Sequence, residues 1–143
     1  MRILILSDLH LEIWRDTPKP AKEFLEGVQP AVDASRPDVV VLAGDIDVGD
    51  RAVACADRTF PGIPVIYVHG NHEGYGQKLD TLKGRLAEAC SATGHIHFLD
   101  KDELVIGSVR FLGATLWTDF QLRTSSCGVP LAPRRPWRQL QLE

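Results

Sequence analysis

Three short apolar runs without polar alternation stand in the first half of the chain: Ile3–Leu6, Val39–Ala43 and Val65–Val68. Runs of this length, rich in β-branched side chains, predict strands buried on both faces, the habit of a parallel sheet covered by helices. Between the first two, residues 20–35 set Phe24, Leu25, Val28 and Val32 on one helical stripe, which Gly27 and Pro30 predict to be kinked or split. Residues 50–58 predict a shorter helix. Residues 77–93 predict a longer one, with Leu79, Leu82, Leu86, Ala89 and Cys90 on a single face. From Ile96 onward the pattern becomes short strands at 96–99, 104–106 and 109–115, parted by turns at Asp100-Lys101-Asp102 and Gly107-Ser108, which together predict a meander. Strand and helix alternating, then a meander, is the order of an α/β chain.

Each of the three apolar runs ends in polar residues of one kind: Ser7-Asp8-Leu9-His10, then Gly44-Asp45-Ile46-Asp47, then His69-Gly70-Asn71-His72-Glu73. The carboxyl ends of parallel strands share one rim, and ligands bind there. That rim gathers oxygen and nitrogen donors suited to Mn²⁺, Fe²⁺ or Zn²⁺ rather than to thiolate chemistry. In Asp8-x-His10 the alternate spacing lets both side chains leave a strand end in one direction. Gly44 and Gly70 let the backbone turn sharply before Asp45 and Asn71. A carboxylate such as Asp45 can bridge two cations, and His72, next to a ligand position, is placed to give a proton to a leaving oxygen.

Taken one at a time, several of these residues have plainer roles. Asp47 reads as a turn or supporting carboxylate, Asp50 as a helix cap, and His69 as structural. Trp14 and Trp117 read as packing groups, Cys55 and Cys90 as core thiols. Glu73 is open between orienting a ligand and lying solvated in its loop.

Length and charge narrow the picture further. A chain of 143 residues is one domain or part of one. Its net charge of −3 offers no global field for nucleic acid or anionic lipid. The charge is unevenly spread: after residue 120, Arg123, Arg134, Arg135 and Arg138 face Glu143 alone, whereas the first 120 residues hold the other 12 basic and 18 acidic side chains. Three widely spaced cysteines, Cys55, Cys90 and Cys127, form no disulfide framework. Four consecutive apolar residues near the N-terminus are too few for a signal-peptide core or a membrane span, so the expectation is a soluble, cytoplasmic protein.

The motifs D-x-H, G-D and G-N-H-E, in this order and at strand ends, resemble the calcineurin-like metallophosphoesterase family over about residues 1–120. The stretch Phe111-Leu112-Gly113-Ala114-Thr115-Leu116-Trp117-Thr118-Asp119 is similar to a segment of bacterial members. The resemblance implies a sandwich of mixed sheets flanked by helices, with two divalent metal ions (Mn, Fe, Zn or similar) and hydroxide attack on the phosphorus of a small-molecule or nucleotide phosphoester. Carried over by motif, Asp8 and His10 hold the first metal, Asp45 bridges, Asn71 holds the second, and His72 is catalytic.

The family completes its site from a C-terminal half with a lone histidine and a G-H-x-H motif. Gly94-His95-Ile96-His97 spells that motif but precedes the G-A-T-L-W-T-D stretch, so it is expected to be a decoy, with the C-terminal half of the fold and its ligands missing. Residues 121–143, with Pro130, Pro133 and Pro136, read as an irregular Arg- and Pro-rich tail. A shifted reading frame near codon 121 would give that signature, and predicts a histidine-bearing continuation in another frame. Two readings from different classes therefore stand side by side: a metal-dependent phosphoester hydrolase, and a catalytically incompetent fragment or pseudoenzyme with at most weak metal binding. A nucleic-acid-binding module is disfavoured by the acidic first 120 residues.

Overall fold

The structure, a computed structural model, describes residues 1–14, 23, 27, 30 and 34–117. The predicted apolar runs form strands with the expected bounds: β1 (Ile3–Leu6), β2 (Val39–Ala43) and β3 (Val65–Val68). A single turn, α1 (Leu11–Trp14), follows β1. The predicted helices appear as α2 (Arg51–Thr59) and α3 (Leu79–Thr93). The stripe Phe24, Leu25, Val28 and Val32 lies outside the described residues, as do Cys127 and the whole Arg- and Pro-rich segment 121–143.

One expectation is corrected here. The strand after α3, β4 (Ile96–Phe98), does not open a meander; it pairs parallel to β3, with Ile66 opposite His97. α3 is long enough to serve as a crossover, and a strand that follows a crossover joins its predecessor in parallel. Only β5 (Asp102–Ile106) and β6 (Val109–Gly113) form an antiparallel hairpin. The result is a four-stranded parallel sheet in the order β1-β2-β3-β4, with a two-stranded sheet beside it.

Strand order explains the layers. Crossovers of one hand that always step in the same direction put their helices on the same face. Val40, Leu42, Val65, Tyr67 and Ile96 pack on that face against Ala52, Val53 and Ala56 of α2 and Leu82, Leu86 and Cys90 of α3. The alternate residues, Val39, Val41, Ile66 and Val68, point the other way and meet Leu104, Ile106 and Phe111 of the hairpin. This is the sandwich of mixed sheets flanked by helices that the sequence implied.

A second difference concerns β1. Its apolar run predicts burial on both faces, yet Leu4 and Leu6 pack on the helix side while Ile3 and Ile5 are exposed. β1 is the edge strand, and among the described residues the hairpin packs against the β2–β3 part of the opposite face and Leu99.

Candidate metal centre

Asp8, Asp45 and Asn71 stand just past β1, β2 and β3, so the parallel sheet delivers all three motifs to one rim. Pairing continues past the strands: Asp8 N–H donates to Gly44 O (3.1 Å), His10 N–H to Asp45 O (3.0 Å) and Leu11 N–H to Ile46 O (2.9 Å). Asp8, His10 and Asp45 each take a left-handed backbone, with φ of 54°, 47° and 54°. Such conformations are uncommon for non-glycine residues and cluster at functional sites.

The loops after β2 and β3 touch backbone to backbone. A Cβ on Gly44 would lie 3.0 Å from Gly70 N, and one on Gly70 would overlap the Asp45 carboxylate and lie 2.6 Å from its amide nitrogen. Glycine at both positions lets Asp45 Oδ1 accept the backbone N–H of His72 at 2.9 Å.

What ties these loops is Glu73, which the sequence left open and the structure buries completely. Its Oε1 accepts from Ile46 N–H (2.9 Å) and Tyr67 O–H (2.9 Å), and its Oε2 from Gly70 N–H (2.7 Å) and Asp45 N–H (3.2 Å). Burial, with the Glu73 charge adding to it, pushes the Tyr67 hydroxyl far above its ordinary range, so Tyr67 serves as a donor. Glu73 therefore orients the loops rather than lying solvated.

Asp8, His10 and Asp45 bring ligand atoms within 4.8 Å of one another. Two carboxylates and an imidazole at this spacing fit a divalent first-row cation. Asn71 is exposed, and its Nδ2 donates to Tyr75 Oη (3.3 Å). The His72 ring stacks at a tilt on Tyr75, centroids 4.3 Å apart, and meets the His10 ring edge-on at 4.2 Å.

Sequence reasoning passed over Glu12. Its Oε1 lies 3.2 Å from His10 Nδ1 and 3.0 Å from His72 Nδ1, so one carboxylate oxygen joins imidazoles from two loops. His10, Glu12 and His72 also form a group with ligand atoms within 4.8 Å. Burial raises the Glu12 carboxyl, but hydrogen bonds from its own backbone and from His10 and His72 outweigh it, holding the group below the usual carboxylate range. The signal was the spacing His10-x-Glu12, repeating that of Asp8-x-His10.

The family profile of the calcineurin-like phosphoesterases matches residues 1–117, most of the chain and all three motifs. The chain belongs to the calcineurin-like phosphoesterase family. No curated protein matches it significantly. In this phosphoesterase chain the decoy reading of G-H-x-H agrees with the geometry. His95 precedes β4 and so lies at the opposite rim, its Nδ1 3.2 Å from Thr93 O and 3.8 Å from Asp57 Oδ1. His97 lies within β4.

The remaining side chains fall into plainer places. Asp50 precedes α2 but makes no capping bond; its carboxylate takes Arg85 Nη2 of α3 at 2.8 Å from both oxygens. Asp47 is buried, with Oδ1 on Val48 N–H, a supporting turn carboxylate as expected. His69 is buried between Phe98 and Trp117. Cys90 is buried in the core, whereas Cys55 is half-buried at its margin. Among the described residues, no helix is long and apolar enough to cross a membrane.

Proposed function

We propose that this chain carries out metal-dependent hydrolysis of a phosphoester, with a small organic phosphate or nucleotide as substrate. The observation that carries the reading is the convergence of Asp8, His10 and Asp45 at one sheet rim within a family-matched segment. In this reading Asp8 and His10 would hold one divalent cation, Asp45 would be shared with a second, and Asn71 would offer its amide oxygen to that second cation. When bound, the cations supply Lewis acidity toward phosphoryl oxygens and lower the pKa of water.

The chain's own residues do the rest. Asp45 Oδ1 is anchored by the His72 N–H, which fixes the carboxylate plane and leaves Oδ2 for coordination. Glu73 holds the two loops in register, so the donors are set before ligand arrives. His72, with Nδ1 on Glu12, would give a proton from Nε2 to the leaving oxygen in its doubly protonated form.

The test is hydrolysis of bis(p-nitrophenyl) phosphate and p-nitrophenyl phosphate with and without added Mn²⁺. Turnover that requires the cation, falls at least ~100-fold in His72→Ala and vanishes in Asp45→Ala is expected, since a lost general acid costs roughly 10²–10⁴-fold. Sub-stoichiometric metal with no turnover would establish the incompetent form instead.

A further inference from the structure

Glu12 does something that neither a ligand nor a proton donor does: a single oxygen, Oε1, meets Nδ1 of two imidazoles that arrive from different loops, 60 residues apart for His72 and two for His10. We propose that Glu12 is a positioning residue that fixes the orientation and tautomer of both histidines at once, coupling cation binding at His10 to proton delivery at His72. The inference rests on the roles given to those two histidines above.

Three features support it. A carboxylate oxygen accepts and never donates once ionised, so contacts of 3.0 and 3.2 Å require each Nδ1 to carry its hydrogen. Nε2 of each ring is then the atom left for chemistry: in the neutral form its lone pair suits a cation at His10, whereas at His72 it has a proton to deliver only in the doubly protonated ring, whose Nδ1–H stays on Glu12. A metal-bound histidine characteristically gives its other ring N–H to a carboxylate, which sets the ring and raises its basicity.

The second feature is geometric. The His10 and His72 rings meet edge-on at 4.2 Å and Tyr75 stacks at a tilt on His72 at 4.3 Å, so His72 has His10, Tyr75 and Glu12 all in contact with its ring. Rotation of either ring about its χ2 would break its bond to Glu12. The third is placement: Glu12 sits in the α1 turn, which the bond from Leu11 N–H to Ile46 O fastens to the β2 loop. The turn that carries the carboxylate is thus tied by a hydrogen bond to the loop that carries Asp45.

The experiment uses Glu12→Gln, nearly isosteric, with Glu12→Asp as a second variant whose shorter side chain reaches one ring at most. In metal-free protein, long-range ¹H–¹⁵N correlation of the imidazoles reports tautomers directly. The parent is expected to show Nδ1–H at both His10 and His72, and Glu12→Gln a mixture at one or both. Mn²⁺ affinity is expected to fall roughly 10–100-fold with unchanged stoichiometry, as for other carboxylates behind metal-bound histidines. At saturating Mn²⁺, kcat is expected to drop about tenfold or more with KM moved less than threefold, and Glu12→Gln in a His72→Ala background is expected to cost no further kcat while still weakening Mn²⁺. Parent-like tautomers and affinity in both variants overturn the proposal. So does loss of a whole metal equivalent in Glu12→Gln, which would make Glu12 itself a ligand. Absence of turnover in the parent counts against the hydrolase reading alone, because tautomer and affinity still decide the role of Glu12.

Discussion

The loops after β2 and β3 and the loop after β1 meet at one rim, yet they are held by different means. Between the first two lies a completely buried carboxylate with four donors, and their backbones approach so closely that only glycine fits. The β1 loop is fastened by three backbone hydrogen bonds and by half-buried side chains, and it leaves an edge strand whose Ile5 is 65% exposed. The centre of the sheet supplies rigidity. The edge supplies His10 and Glu12, both only half-buried.

The largest way to break this contrast is Glu73→Ala. It strands three N–H groups and the Tyr67 hydroxyl in a buried site, and the expected loss is about 4 kcal/mol in urea unfolding. Loss under ~1 kcal/mol would mean that the loops hold without their buried tie.

A smaller effect separates edge from centre on one sheet face. Ile5, Val41 and Ile66 lie in a row across β1, β2 and β3, yet Ile66 is 3% exposed. Ile66→Ala is expected to cost about 3 kcal/mol by cavity formation. Ile5→Ala is expected to cost under ~1 kcal/mol, because little water is excluded there. Equal losses would show that Ile5 is covered in solution.

The smallest effects come from pH, and they differ in sign between the two regions. Burial pushes the Cys90 thiol up to about 12, so above the ordinary thiol value the unfolded chain sheds a proton that the folded chain keeps. Its contribution is full below that value and falls as pH rises, by at most about 1.4 kcal/mol per pH unit. Thermal melts from pH 8 to 11 should therefore decline less steeply in Cys90→Ala. At the edge, Asp38 is held below its ordinary value, first by the Arg2 backbone N–H that anchors the start of β1, then by the Arg2 and N-terminal charges against a small opposing burial. That support is present above the ordinary aspartate range and is lost on acidification below it. In an NMR acid titration, the Arg2 amide should shift in step with protonation of the Asp38 carboxyl, and an Arg2 amide that does not move would refute the tie.

Much of this was legible in the residues. Three continuous β-branched runs determined the strands; the lack of polar alternation foretold burial on both faces for β2 and β3, while β1 at the edge leaves Ile3 and Ile5 exposed. The endings of those runs pointed to the candidate ligands Asp8, His10, Asp45 and Asn71 and the candidate acid His72, because parallel strands must share a rim. The sequence could not decide that β4 would join the parallel sheet, since a short run ahead of a polar turn suits a meander equally well. Nor could it decide which carboxylates matter. Glu12 and Glu73 look like ordinary loop residues in one dimension. Their roles come from partners contributed by other loops: Glu12 gains His72, 60 positions away, and Glu73 gains Asp45 and Ile46 across the β2–β3 junction. Local pattern encodes which residues reach the rim, whereas burial and shared hydrogen bonds depend on how the loops fold against each other, and only the tertiary structure fixes that.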